Sequence, residues 1–276
     1  VYDLLGSRDQ AKGIEAYDMW MVGMRAGKDP LAEQTALKAE MWKRMTTAAE
    51  KYNQPGKFTA FIGFEWTSQP GGANLHRNIV FRDGKSFADQ VIPISTYDSS
   101  DPEKLWEWMA AYEKKTGGRM LAIPHGGNLS NGLMFDDVTL TTRQPLTKAY
   151  AISRMKYEPL YEVTQMKGDA ETDPALSPND EFANFERWNR GSFGAEVKTA
   201  AQLAKEPARE ALKRGMQYEA KLGANPFKFG MIGSTDAHTS LSTTQEDNFF
   251  GKVVPLEPSA APVRVDELVS GRPGPE

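Results

Sequence analysis

The sequence predicts an α/β domain with a mainly parallel sheet and a helical segment at its N-terminal end. Three observations carry that expectation. Short apolar runs bounded by glycine and proline recur along the chain, segments of helical period alternate with them, and several polar residues of ligand chemistry stand directly after the runs.

The helical segment comes first. Residues 8–26 place Ile14, Tyr17, Met21 and Met24 at helical spacing, and Asp29-Pro30 supplies an N-cap followed by proline at the first helical position. Leu31, Leu37, Met41 and Met45 continue the apolar period to about Tyr52, where Asn53, Pro55 and Gly56 end it. The methionines and Trp42 are read as core packing, the commoner use of such residues, rather than as a binding stripe.

From Lys57 the period changes. Residues 58–64 form a strand-sized apolar run ending at Glu65; Pro70-Gly71-Gly72 turns the chain into a second strand beginning near His76, and Asp83-Gly84 closes it. Asp101-Pro102 opens a further helix through Leu105, Trp106, Met109 and Tyr112 to the Gly117-Gly118 stop. Residues 119–123 are a strand with Pro124-His125 at its end, and residues 160–165 are another. Ser177-Pro178 is expected to cap a helix over 178–188, and a longer helix fits 207–222. The last clear strand, residues 229–233, leads into Ser234-Thr235-Asp236-Ala237-His238, and the Pro/Ala-rich stretch 255–262 reads as a linker or extended edge.

Composition narrows the function classes. The 276 residues carry a net charge of −4, which argues against a broad electrostatic grip on nucleic acid. No apolar run approaches the roughly 20 residues needed to cross a bilayer. The chain has no cysteine, so disulfides, thiolate metal sites and cysteine nucleophiles are excluded, and cytoplasmic and exported settings both stay open. A metal site would have to be built from carboxylates and the three histidines.

Those residues cluster in the predicted architecture. Glu65, His125 and the Asp236-Ala237-His238 triplet each follow a buried strand, the end where α/β folds build their sites, and the short loop after Glu65 can return His76 to the same rim. Alternation along an extended segment would point Asp236 and His238 the same way. Each has an ordinary structural reading as well: a histidine after a strand can be a hydrogen-bonded core residue, Glu65 can cap a turn, and Asp236 can be a helix N-cap.

The segments Gly63-Phe64-Glu65-Trp66-Thr67, Asn74-Leu75-His76-Arg77-Asn78, His125-Gly126-Gly127-Asn128-Leu129-Ser130-Asn131-Gly132 and Gly233-Ser234-Thr235-Asp236-Ala237-His238 resemble, in that order, a bacterial family catalogued only as a domain of unknown function. Tyr161-Glu162-Val163-Thr164-Gln165, Lys167-Gly168-Asp169 and the stretch from Ser177 to Phe182 fit it too, so the likeness covers most of residues 57–252. That family is similar to the polymerase-and-histidinol-phosphatase (PHP) domains of the amidohydrolase-like superfamily. The resemblance implies a distorted (β/α)7 barrel with up to three divalent transition-metal ions (zinc, manganese or iron). Glu65, His76, His125, Asp236 and His238 would be the ligands, with Glu65 bridging two ions and Asp236 and His238 serving the others. A metal-bound hydroxide would attack a phosphoester, a small anionic substrate.

The sequence departs from the PHP pattern at several points. No histidine precedes His76, so the opening His-x-His strand is expected upstream of Val1, and residues 1–276 read as a single catalytic domain truncated at both ends, an incomplete barrel with impaired activity. Gly126 stands where asparagine is expected, and Asp173 where histidine is. Arg77 and Lys167 near the rim could hold an anionic substrate, and Glu162 could act as a base or support the ligands. Two other classes remain: a metal-free glycoside-type hydrolase using the carboxylate pair Glu162 and Glu171, and a non-catalytic binding module stabilised by metal.

Overall fold

The computed structural model describes residues 4, 10–188, 197–238 and 245. Helix α1 (Gln10–Arg25) and helix α2 (Thr35–Tyr52) form the N-terminal segment. The side chains of Ile14, Tyr17, Met21 and Met24 lie outside those described, as do residues 255–262. Helix α2 starts five residues later than Pro30 suggests. Asp29 accepts from the Leu31 amide (2.8 Å) and pairs with Lys38 (2.6 Å), holding residues 30–33 in a turn. Trp42 is buried and donates its indole N–H to the Ala88 carbonyl (2.9 Å). The core reading does not extend to Leu37, Met41 and Met45, which are exposed: α2 packs along its Trp42–Thr46–Ala49 side, and that ridge faces outward.

Strands β1 (Gly63–Trp66), β2 (Arg77–Phe81) and β3 (Met120–Pro124) make a sheet in which both pairings are antiparallel, not parallel. The chain from β1 to β2 is a short return over the 3₁₀ turn Pro70–Gly72, too short for the crossover that parallel pairing requires. Residues 58–61 stay outside the ladder, with Phe58 and Phe61 exposed, whereas the Ile62 carbonyl still accepts from the Phe81 amide (2.9 Å); Glu65 lies within β1 rather than beyond its end. Short helix α3 (Lys85–Ala88) and helix α4 (Pro102–Thr116) cover one face of this sheet. Helix α4 has the expected ends: the Asp101 side chain accepts from the Glu103 amide, Pro102 opens the helix, and Gly117 closes it at φ 74°. Trp66, Ile79, Phe81, Leu105, Trp106, Met109, Tyr112 and Ala122 form the core between them.

Helix α5 (Lys148–Tyr157) leads to β4 (Leu160–Gln165), which pairs antiparallel with β5 (Gly168–Asp169) and parallel with β6 (Gly230–Gly233). Between β5 and β6 lie short helix α6 (Ala200–Leu203) and helix α7 (Ala208–Leu222). Leu75, Phe135, Tyr161, Val163, Ala211 and Phe227 belong to a second core. The two three-stranded sheets form no closed barrel among the described residues. Residues 178–188 form no helix. Asp180 Oδ1 accepts from the Phe182 amide (3.0 Å), a local alternative that competes with helix formation, and Phe182 and Phe185 are left exposed.

Candidate metal centre

Pairing register decides which side chains meet. On β2 the pattern alternates: Ile79 and Phe81 enter the helical core, while His76 and Asn78 belong to the other face. Glu65 pairs with Asn78 across β1–β2, so His76 is its diagonal neighbour on that face. The β2–β3 ladder continues beyond Arg77 and Pro124 through the His125 amide donating to the His76 carbonyl (3.3 Å), which sets His125 opposite His76. One donor atom from each of Glu65, His76 and His125 lies within 4.8 Å of the others, a spacing that could hold a metal ion.

Glu65 Oε1 is 2.8 Å from His76 Nδ1 and 3.1 Å from His125 Nε2. Donors bound at 2.0–2.2 Å in a tetrahedral shell stand roughly 3.3 Å apart, so the three groups are close to a ligating arrangement. His125 is wholly buried and His76 nearly so, whereas 27% of the Glu65 side chain is exposed, which places the opening on the carboxylate side. Burial pushes the Glu65 carboxyl up, but hydrogen bonds from His125 and His76 together outweigh it and hold the group well below the usual carboxylate range. Burial pushes His76 down to about 4 against the opposing pull of Glu65. At neutral pH the site is therefore a carboxylate beside a neutral imidazole at His76, the protonation states that a metal requires.

The donors fit a divalent cation on a second ground. His76 meets Glu65 through Nδ1, and its Nε2 is a buried atom with no hydrogen-bond partner in the protein, a costly arrangement unless another group engages it. Imidazole with carboxylate suits zinc, manganese or iron.

The loop after β3 is held in place by buried contacts. Asn74 Nδ2 donates to the carbonyls of His125 (2.9 Å) and Gly126 (3.1 Å). Gly126 has φ 62°, and an added Cβ would come within 2.6 Å of that same amide nitrogen, so glycine rather than asparagine fits here. Gln165, the last residue of β4, places Nε2 3.2 Å from His125 Nδ1. Neither Asn74 nor Gln165 stands out in the sequence as a site residue; the available signal is that Gln165 ends a strand.

The other expected residues are not part of that three-donor group. Asp236 is buried and ion-paired with buried Lys167; its φ of 54° breaks the extended run, so alternation does not govern the triplet. His238 is half-exposed, its Nε2 3.3 Å from Asp236 Oδ1. Neither Asp236 nor His238 joins the Glu65–His76–His125 group. Arg77 is buried in an ion pair with Glu158 (3.0 Å), away from the rim. Glu162 is buried within β4, while Glu171 is engaged by Arg209 (2.8 Å). Asp173 is buried and receives a two-pronged contact from Arg187 at 2.7 and 3.2 Å.

Fold and site thus define an α/β domain with a buried Glu–His–His group suited to a metal ion. The family profile described as Protein of unknown function (DUF3604) matches residues 12–273, and the chain belongs to that family. Comparison with curated proteins finds no match, and comparison with solved structures finds none either. Among the described residues, no helix is long and apolar enough to cross a membrane.

Proposed function

We propose that the protein is a metal-dependent hydrolase of PHP-like descent, most consistent with hydrolysis of a small phosphoester, with Glu65, His76 and His125 holding a divalent ion. The observation that carries this reading is the convergence of three donors within 4.8 Å, two of them buried imidazoles. The two sheets are read as parts of a distorted (β/α)7 barrel, a view supported by Gln165 and Tyr161 on β4 reaching the loop that follows β3.

A divalent ion held there would polarise an ester oxygen as a Lewis acid and make water a competent nucleophile near neutral pH. The chain's own groups set the conditions. Glu65 supplies a carboxylate that stays ionised, His76 stays neutral, and the exposed edge of Glu65 leaves an approach for substrate while the imidazoles are kept from solvent. The buried Lys167 ammonium lies close enough to act on His76 and favours an anionic substrate.

Metal analysis of the purified protein, followed by phosphomonoester and phosphodiester hydrolysis with and without chelator, tests the proposal. Glu65→Gln should lower bound metal and abolish turnover. Absence of bound metal together with full activity in the variant would overturn it.

One feature favours a second reading, a non-catalytic module. The three donors come from neighbouring strand ends, so an ion would also fasten the sheet. A metal-dependent rise in melting temperature with no turnover on any phosphoester would support that reading instead. The metal-free carboxylate pair gains nothing from the geometry, because Glu171 is tied to Arg209.

A further inference from the structure

We propose that Lys167 takes the place of a second cation at this centre: its ammonium occupies the Asp236 carboxylate, so the site holds a single divalent ion with the lysine as its fixed positive neighbour. The assignment rests on reading Glu65, His76 and His125 as an ion site and goes beyond it by fixing the number of ions and the role of Asp236.

Lys167 is held where it is by backbone contacts on two sides. It lies in the turn of the β4–β5 hairpin, closed by the Gln165–Gly168 pair. Its carbonyl accepts from Asn128 Nδ2 (3.0 Å), which ties it to the loop following His125. The preceding residue, Met166, donates its amide to the Thr235 carbonyl (3.3 Å), which brings the turn against the segment carrying Asp236. The turn thus joins the loops that follow β3 and β6, the two places from which metal ligands were expected.

The charges then sort themselves. The Lys167 side chain is 6% exposed and that of Asp236 7%, so each needs the other. Asp236 adopts a left-handed φ of 54° while making this pair, a conformation uncommon for a non-glycine residue. A second divalent ion on Asp236 would set two cations against one carboxylate at short range in a poorly solvated place. The same turn reaches the centre itself, since Gln165, which closes the hairpin with Gly168, places its Nε2 3.2 Å from His125 Nδ1. Positive charge beside the ion is what a second metal would contribute toward an anionic substrate.

The test is metal stoichiometry. The full chain is stripped with chelator, reloaded with Mn²⁺ or Zn²⁺ alone, and its bound metal measured by mass spectrometry and calorimetry. The wild type is expected to bind one equivalent, and its Mn²⁺ form to give the paramagnetic resonance spectrum of isolated ions. Lys167→Met leaves Asp236 without its ammonium and should raise the count to two, whereas Lys167→Arg should keep it at one. A wild type that binds two or more equivalents, or shows a spin-coupled manganese pair, overturns the proposal without using any variant. A Lys167→Met protein with native circular dichroism and a single equivalent overturns it as well. Failure of the wild type to bind any metal would instead remove the reading of Glu65, His76 and His125 on which it rests.

Discussion

Gln165 Nε2 lies 3.2 Å from His125 Nδ1, so the last residue of β4 meets the histidine that follows β3. With the amide nitrogen toward the ring, Gln165 donates to Nδ1 and the ring proton sits on Nε2, facing Glu65 Oε1 at 3.1 Å. Ligation through Nε2 requires the other tautomer, with the proton on Nδ1 donated to the amide oxygen. A glutamine can serve both by turning its amide, which a carboxylate or an alkyl group cannot do.

That relationship predicts the effect of Gln165→Leu. The variant should keep the fold but bind metal about 10- to 100-fold more weakly, the usual loss when a residue orienting a ligating histidine is removed. Calorimetric titration with Zn²⁺ measures it. Unchanged affinity would mean that Gln165 does not orient His125.

The Arg77–Glu158–Arg154 cluster predicts a stability effect. Glu158 Oε1 accepts from Arg77 Nε and Trp106 Nε1, both at 3.0 Å, and Oε2 pairs with Arg154 Nε at 3.0 Å, all three charged groups being buried. Burial pushes the Glu158 carboxyl up, but Arg77 and Arg154 outweigh it and hold it below its ordinary value. Glu158→Gln would leave two guanidinium groups without a carboxylate and should destabilise the protein by about 3–5 kcal/mol. Denaturant unfolding checks this, and a loss below about 1 kcal/mol would show that the cluster is readily replaced.

Features encoded locally were the ones legible in the sequence. Asp101-Pro102 and Gly117 announce the ends of α4 because capping depends on neighbouring residues alone, and the strand expected over 160–165 coincides with β4. Glu65, His76 and His125 stood out because only three histidines and no cysteine were available for a site. Strand direction was not legible, since a period of two assigns faces but not partners. Residues 178–188 were misread because turn-forming side-chain hydrogen bonds outcompeted a capped helix. Arg77 looked like a rim charge because its carboxylate partner lies 81 positions away, beyond any local pattern.

Gly168 follows Lys167 with φ 99°, and a Cβ there would stand 2.8 Å from the Glu186 carbonyl oxygen and 2.9 Å from Trp188 Cβ. Gly168→Ala combines an unfavourable backbone with overpacking and should cost about 2–4 kcal/mol. The displaced turn should also shift the Lys167 amide resonance in NMR spectra. A variant as stable as the wild type, with that resonance unmoved, would show that the turn relaxes without strain.

The pH dependence of the metal-free protein follows from His76. Its folded pKa of about 4 lies below the ordinary histidine value of 6.5, because burial disfavours the imidazolium more than Glu65 restores it. Between those two values the unfolded chain binds a proton that the folded one does not, so stability should rise with pH across that window and fall on acidification. A shift of this size corresponds to about 3 kcal/mol. Glu65, held below its ordinary value, adds a further loss only as pH drops below about 4.5. The neighbourhood of Glu206 acts in the opposite sense: burial raises that carboxyl to about 7, more than Lys198 lowers it, so its contribution weakens as pH climbs toward neutrality. The two effects overlap, which makes the variant comparison decisive. His76→Gln should lose the acid-side slope between pH 4 and 6.5, while Glu206→Gln should keep that slope and lose the opposing one. Urea unfolding of the chelator-treated proteins across this range measures both, and an unaltered slope in His76→Gln would show that the imidazole titrates alike in the folded and unfolded chains.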